Sequence, residues 1–183
     1  AHRAFGLRTP VSVNLSPRQL RDENVPALVD EALTDTGLPP EMLELEITET
    51  AVMENMSEAV VALEALSARG VAIAIDDFGT GQSSLAHLRR LPAHKVKLDR
   101  SFVSDIETDR NADAIARAVV GLARGLGKTT VAEGVETIGQ FRQLRAMGID
   151  EAQGFLFAKP SLESEYLAAA RAAEPYYGVA IAA

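Results

Sequence analysis

Short apolar runs of strand length recur at 11–16 (VSVNLS), 43–48 (LELEIT), 71–76 (VAIAID), 94–98 (HKVKL), 129–133 (TTVAE) and 152–157 (AQGFLF). Between them the apolar residues return at helical spacing: Val25, Leu28, Val29, Ala32 and Leu33; Val60, Val61, Leu63, Ala65 and Leu66; Ile115, Val119, Val120, Leu122 and Ala123. Gly37, Gly70 and Gly127 follow these stretches, where a helix needs a residue that tolerates a left-handed close. Strand alternating with helix every 25 to 35 residues or so predicts a parallel sheet with helical crossovers. The pattern predicts six strands, a terminal Ala-rich helix around 161–173 and a tail, EPYYGVAIAA, at 174–183.

Period-two alternation sorts the strand side chains by face. Leu43, Leu45 and Ile47 oppose Glu44, Glu46 and Thr48; Val11, Val13 and Leu15 oppose Ser12, Asn14 and Ser16; Val96 and Leu98 oppose Lys95, Lys97 and Asp99. Asn14, Glu46, Asp76, Lys97, Glu133 and Gln153 thus each stand near the C-terminal end of a separate strand, away from the most apolar stripe. An open doubly wound sheet would make both faces of its central strands apolar. A barrel instead lets small and polar residues face inward, and gathers reactive groups at the C-terminal rim. The predicted fold class is therefore α/β, a TIM-like (β/α) barrel. Such barrels typically take about 250 residues and eight strands, so this chain of 183 residues is expected to be incomplete, lacking strands at its N-terminus. It opens AHRAFG with no signal-peptide pattern. The partial domain is placed at 1–173 and the tail at 174–183.

Composition narrows the partners. The formal charge is −8 and no basic run exceeds Arg89-Arg90, which argues against a polymer of nucleic acid. There is no cysteine, compatible with a reducing cytoplasm, the expected location. No apolar run approaches the roughly 20 residues of a membrane span.

Asp76 and Asp77 stand side by side at the end of an apolar strand, where two like charges persist only if something compensates them. With Glu46, Glu133 and the Asn14 amide they form an oxygen-rich set without sulfur or imidazole, suited to hard cations such as Mg²⁺ or Mn²⁺. Asp77 is expected to turn toward the same site because the chain is already leaving the strand. Adjacent carboxylates there can flank two metals about 3.5 to 4 Å apart, the clamp used in phosphoryl displacement. Lys97, among acids, can orient water or meet developing negative charge. Plainer readings stand beside these. Asp-Asp pairs are common in turns and caps; Glu46 could form a structural bridge with Lys97; Asn14 and Gln153 could satisfy backbone groups. Glu136 could simply begin a helix. His2, His87 and His94 lack ligand spacing and read as surface or capping residues.

Taken together, VSVNLSPRQL, LELEITET, AIAIDDFGTGQSSL, VKLDRSFV, TTVAEGVET and AQGFLFAKP resemble the EAL-domain family in unbroken order from about Val11 to about Leu167. The resemblance implies a TIM-like barrel that hydrolyses cyclic di-GMP to linear pGpG with two Mg²⁺ or Mn²⁺ ions, in bacterial signalling. It implies metal ligation by Asn14, Glu46, Asp76, Asp77 and Glu133, and contact of Lys97 with the catalytic water. Gln153 matches a rim glutamine, Glu136 a glutamate that steadies the glycine-rich loop 78–84, and Arg100 a position near the substrate side. In the family that loop links metal binding to dimerisation, so a homodimer through it is expected. Two departures stand out. The Glu-Ala-Leu segment that names the family is absent, DEAL at 30–33 falling in a predicted helix after the asparagine strand; and Gln82 occupies a loop position usually aromatic. The first removes one expected metal ligand, so weak or no turnover is expected of this chain alone.

The leading reading is thus a cyclic di-GMP phosphodiesterase domain. The rival is an EAL-like receptor that binds cyclic di-GMP without cutting it; such receptors usually lose acidic ligands, and the matched ones remain here. An unrelated barrel enzyme using acids and a lysine on one Mg²⁺ would leave the Asp-Asp pair and the glycine-rich loop unexplained.

Overall fold

In a computed structural model, residues 10–80, 85–160, 162 and 180–181 are described. The chain divides into two compact units, one ending at Lys95 and the other beginning at Val96. In the first, β1 (Val11–Asn14), β2 (Leu43–Thr48) and β3 (Ala72–Phe78) are successive parallel neighbours, with Val13 opposite Leu45 and Leu45 opposite Ile73. The connections carry α1 (Pro17–Leu20), α2 (Val25–Thr36), α3 (Glu49–Glu54) and α4 (Met56–Ser67), and α5 (Leu85–Arg90) follows β3. Helical crossovers are what a parallel pairing requires. Leu45, Ile47, Val52, Leu63, Leu66, Ile73 and Ile75 are buried and form the core.

The helix boundaries follow local chemistry. Ser16 opens α1 with a capping box to Gln19, and α2 closes on Gly37 at φ 62°, its N–H donating to the Leu33 carbonyl at 2.9 Å. The apolar stripe predicted for α2 is wider than the face it buries: Val25 is buried while Leu28, at the edge of the stripe, is 55% exposed. On α4, Leu63 and Leu66 turn inward and Val61 outward. Gly70 lies three residues beyond α4 rather than at its cap, at φ 85°.

The second unit contains β4 (Lys95–Leu98, from Val96 onward), α6 (Arg100–Ser104), α7 (Arg110–Gly125), β5 (Thr129–Ala132), α8 (Ile138–Met147), β6 (Glu151–Ala152) and β7 (Ala180–Ile181). The N–H of Glu133 donates to the Leu98 carbonyl at 3.2 Å, and β5, β6 and β7 are successive parallel neighbours. Asp99, Asp109 and Thr137 cap α6, α7 and α8 through their side chains. Gly127 at φ 67° closes α7, with the Lys128 N–H reaching the Ala123 carbonyl at 2.9 Å. Asp113 on α7 accepts from Arg117 at 2.8 Å and from Gln143 on α8 at 2.6 Å, and these bonds, Arg117 foremost, hold its carboxyl below the usual range. The core of this unit is Leu98, Val103, Ile106, Ala116, Val120, Val131, Val135 and Leu144, with Phe141 and Phe157 edge to face at 5.5 Å.

The strand predicted at 152–157 is corrected: only Glu151 and Ala152 pair as β6, and Gly154 starts a turn. The cause is the approach of two backbones. Val135 donates to the Gln153 carbonyl at 3.0 Å and accepts from the Leu156 N–H at 2.9 Å, wrapping 153–156 around one residue. Apolarity alone gives no sign of this. A seventh described strand, β7, lies in the predicted tail; the helix predicted at 161–173 and residue Gln82 lie outside the described residues.

At Gly154 (φ 151°) a Cβ would fall 2.3 Å from both the backbone N and O of Val135, whereas at Gly148 (φ 87°) the nearest atom is the movable Nη1 of Arg124 at 2.4 Å. Gly154→Ala is therefore expected to destabilise the chain by about 3 kcal/mol and Gly148→Ala by about 1 kcal/mol, read from urea denaturation midpoints.

Candidate active site

Strand register delivers the first group of polar residues. Asn14 ends β1 directly opposite Glu46 on β2, and Asp76 on β3 lies opposite Thr48, two residues further along β2. Glu46 is buried, at 9% exposure, and Asp76 and Asp77 are half-buried. In a regular strand Asp77 would point to the opposite face from Asp76. Its φ is 55°, the left-handed region, while it is still within β3. The expected turn thus happens at Asp77 itself and not after the strand has ended. Aspartate enters this region more readily than most side chains, at a cost on the order of 1 kcal/mol, and the Asp77 N–H donates to Asp76 Oδ1 at 3.0 Å. The donors of this group, an amide and three carboxylates, are all hard oxygens, which fits a divalent cation such as Mg²⁺ or Mn²⁺.

Glu49 is a site residue that sequence reasoning missed. It begins α3 after the N-cap Thr48, where a glutamate ordinarily sits in solvent near the helix dipole. Here it is 2% exposed, and Oε2 accepts the Gly79 N–H at 2.9 Å. The start of the glycine-rich loop is fastened again by Thr80, whose hydroxyl donates to the Asp77 carbonyl at 2.9 Å. The only signal in the sequence is its spacing of three from Glu46. His94 does act on the backbone, accepting the Ile73 N–H on Nδ1 at 3.1 Å.

In the second unit Lys97, Glu133 and Gln153 meet at one oxygen. Lys97 Nζ lies 2.6 Å from Glu133 Oε1, and Gln153 Nε2 donates to the same atom at 2.6 Å. The Lys97 side chain is only 4% exposed. Two donors thus hold one carboxylate oxygen. The Gln153 side chain donates to Glu133, while its backbone N–H donates to the Ala132 carbonyl and its carbonyl accepts from the Val135 N–H. Arg100 extends over Gly134, where a Cβ would meet its Cγ at 2.4 Å, and pairs with Glu136 Oε1 at 2.8 Å. Glu136 precedes the N-cap Thr137, so it does not begin α8; of the loop positions it was expected to steady, 81–84 lie outside the described residues.

Residues 2–160 match the model of the EAL domain. The chain belongs to the EAL domain family. It is 44% identical over 158 residues to the bifunctional diguanylate cyclase/cyclic di-GMP phosphodiesterase MucR of Pseudomonas aeruginosa, covering 86% of this chain and 23% of that protein. To the cyclic di-GMP phosphodiesterase NbdA of the same organism it is 43% identical over 159 residues, 87% of this chain and 20% of the relative. This EAL domain therefore spans about a fifth of the length of those relatives. Among solved structures, the PaMucR phosphodiesterase in complex with c-di-GMP superposes with a TM-score of 0.83 at 43% identity, over 86% of this chain and 64% of the other. Klebsiella pneumoniae BlrP1, in a manganese/cy-diGMP complex, gives a TM-score of 0.77 at 38% identity over 82% and 39%. The fold is the TIM-like barrel of EAL domains, of which this chain carries part.

Removing the Glu49 carboxylate takes away the charged acceptor of the Gly79 N–H. Glu49→Ala is expected to cost about 1–3 kcal/mol and to speed hydrogen exchange at the Gly79 amide. Glu49→Gln, which keeps an acceptor, should cost less than half as much.

Proposed function

We propose that this EAL domain is the catalytic part of a metal-dependent phosphodiesterase that hydrolyses cyclic di-GMP to linear pGpG. The observation that carries the reading is the paired Lys97–Glu133 with Gln153 on the same oxygen, in a family whose relatives are named cyclic di-GMP phosphodiesterases. Asn14, Glu46, Asp76, Asp77 and Glu133 are proposed as ligands of two Mg²⁺ or Mn²⁺ ions. When bound, such ions supply positive charge against the phosphoryl oxygens and acidify water. The chain's own residues do the rest. Lys97 stays protonated beside Glu133 and presents its charge to the attacking water and to the negative charge that develops during displacement. Gln153 holds the Glu133 carboxylate in one orientation. Arg100, paired with Glu136, is assigned to the substrate side.

Further proposals concern the setting. The glycine-rich loop 78–84 is the proposed homodimer contact and the cytoplasm the proposed location. Among the described residues no helix is long and apolar enough to cross a membrane.

The test is hydrolysis of cyclic di-GMP by the full-length protein with Mg²⁺ or Mn²⁺, followed by chromatography of the products. Linear pGpG is expected, with Asp76→Asn lowering kcat by at least about 100-fold and Lys97→Met by a similar factor. Tight binding without turnover would replace the enzyme by the receptor reading. The 183-residue chain alone is expected to turn over weakly or not at all.

A further inference from the structure

Below the level of Asn14 and Glu46, the first unit contains a second polar layer for which the chemistry above has no use. Glu44 on β2 is 4% exposed. Its Oε2 lies 3.0 Å from Lys95 Nζ, and its Oε1 accepts from the Ser12 hydroxyl on β1 at 3.1 Å. The register puts Ser12 opposite Glu44 and Glu44 opposite Ala72 on β3. The segment carrying Lys95 runs along the other side of β3, since the His94 N–H donates to the Ile73 carbonyl at 2.8 Å. Lys95 and Glu44 therefore stand two strand spacings apart, roughly 10 Å, and their side chains meet above a residue with only a methyl group. A larger side chain at position 72 would occupy that path.

A buried ion pair is a poor source of stability, because desolvating both charges offsets most of their attraction. Its better-attested use is to fix register, since any slip leaves a charge buried without its partner. Here the pair, with Ser12, ties together β1, β2 and the chain beside β3. The residues two positions further along β1 and β2 are Asn14 and Glu46.

We propose that Glu44, Lys95 and Ser12 are positioning residues that lock the strands at the register in which Asn14, Glu46 and Asp76 present their oxygens to a divalent cation. This rests on the metal-binding reading given under Proposed function.

The test separates register from stability. In Glu44→Leu/Lys95→Met the pair is replaced by apolar side chains of similar size, which is expected to leave the Tm equal to or above that of the unaltered chain. Mn²⁺ binding, measured by titration calorimetry without substrate, is expected to weaken about tenfold in the same variant. A double variant that binds Mn²⁺ as tightly as the unaltered chain overturns the proposal and leaves the functional reading standing. Full-length protein without these substitutions that binds no Mn²⁺ overturns both. If the double variant does not fold, Ser12→Ala decides: the side chain sits on an exposed strand, so Tm should hold while the Mn²⁺ Kd rises about threefold, and an unchanged Kd overturns the proposal.

Discussion

A carboxylate withdrawn from water must be met by a donor or a cation, and this requirement organises the polar interior of both units. Glu133 is met by Lys97 and Gln153, Glu44 by Lys95 and Ser12, and Glu49 by the Gly79 amide. In each case the partner comes from a different stretch of chain. The acids are therefore held in place by tertiary structure and not by the local elements that carry them. Asp76 and Asp77, adjacent and half-buried, offer hard oxygens of the kind that suit a divalent cation.

Parallel pairing makes this arrangement possible. Because neighbouring strands run the same way, residues near their C-terminal ends come to similar levels, and period-two alternation turns them to a shared face. Asn14 opposite Glu46, with Asp76 two residues beyond, follows from the register alone. The second unit repeats the rule with Lys97 near the end of β4 and with Glu133 and Gln153 immediately after β5 and β6. One irregularity is needed in addition. Strict alternation would separate Asp76 from Asp77, and the left-handed residue at 77 removes that separation at a small backbone cost.

Much of this was legible in the sequence. The run LELEIT gave β2 at 43–48 without error, and β1, β3, β4 and β5 are found within a residue or two at each end. The polar positions at strand ends came from alternation, and the order of six motifs placed the chain in its family. The misses have specific causes. The run AQGFLF reads as a strand because four of its residues are apolar, yet the backbone of Gly154 is pressed against Val135 and pairing stops at Ala152. Glu49 stands out nowhere in the strand pattern, and only its burial and the bond it accepts from the Gly79 N–H tie it to the loop. The alternative reading of Glu136 as a helix start fails because Thr137, in a capping box with Gln140, is the N-cap and the first helical residue is Ile138, two residues further on.

By itself the sequence determined the fold class, the family and the identity of the strand-end residues, because periodicity and motif order are properties of neighbouring positions along one chain. Tertiary structure alone decided which donor meets which acid: Lys97 with Glu133, Lys95 with Glu44, Gly79 with Glu49. Those partners lie 30 or more residues apart, and a contact at that separation depends on register, burial and the space left by a neighbour such as Ala72. None of these is encoded in the spacing of residues along a single strand.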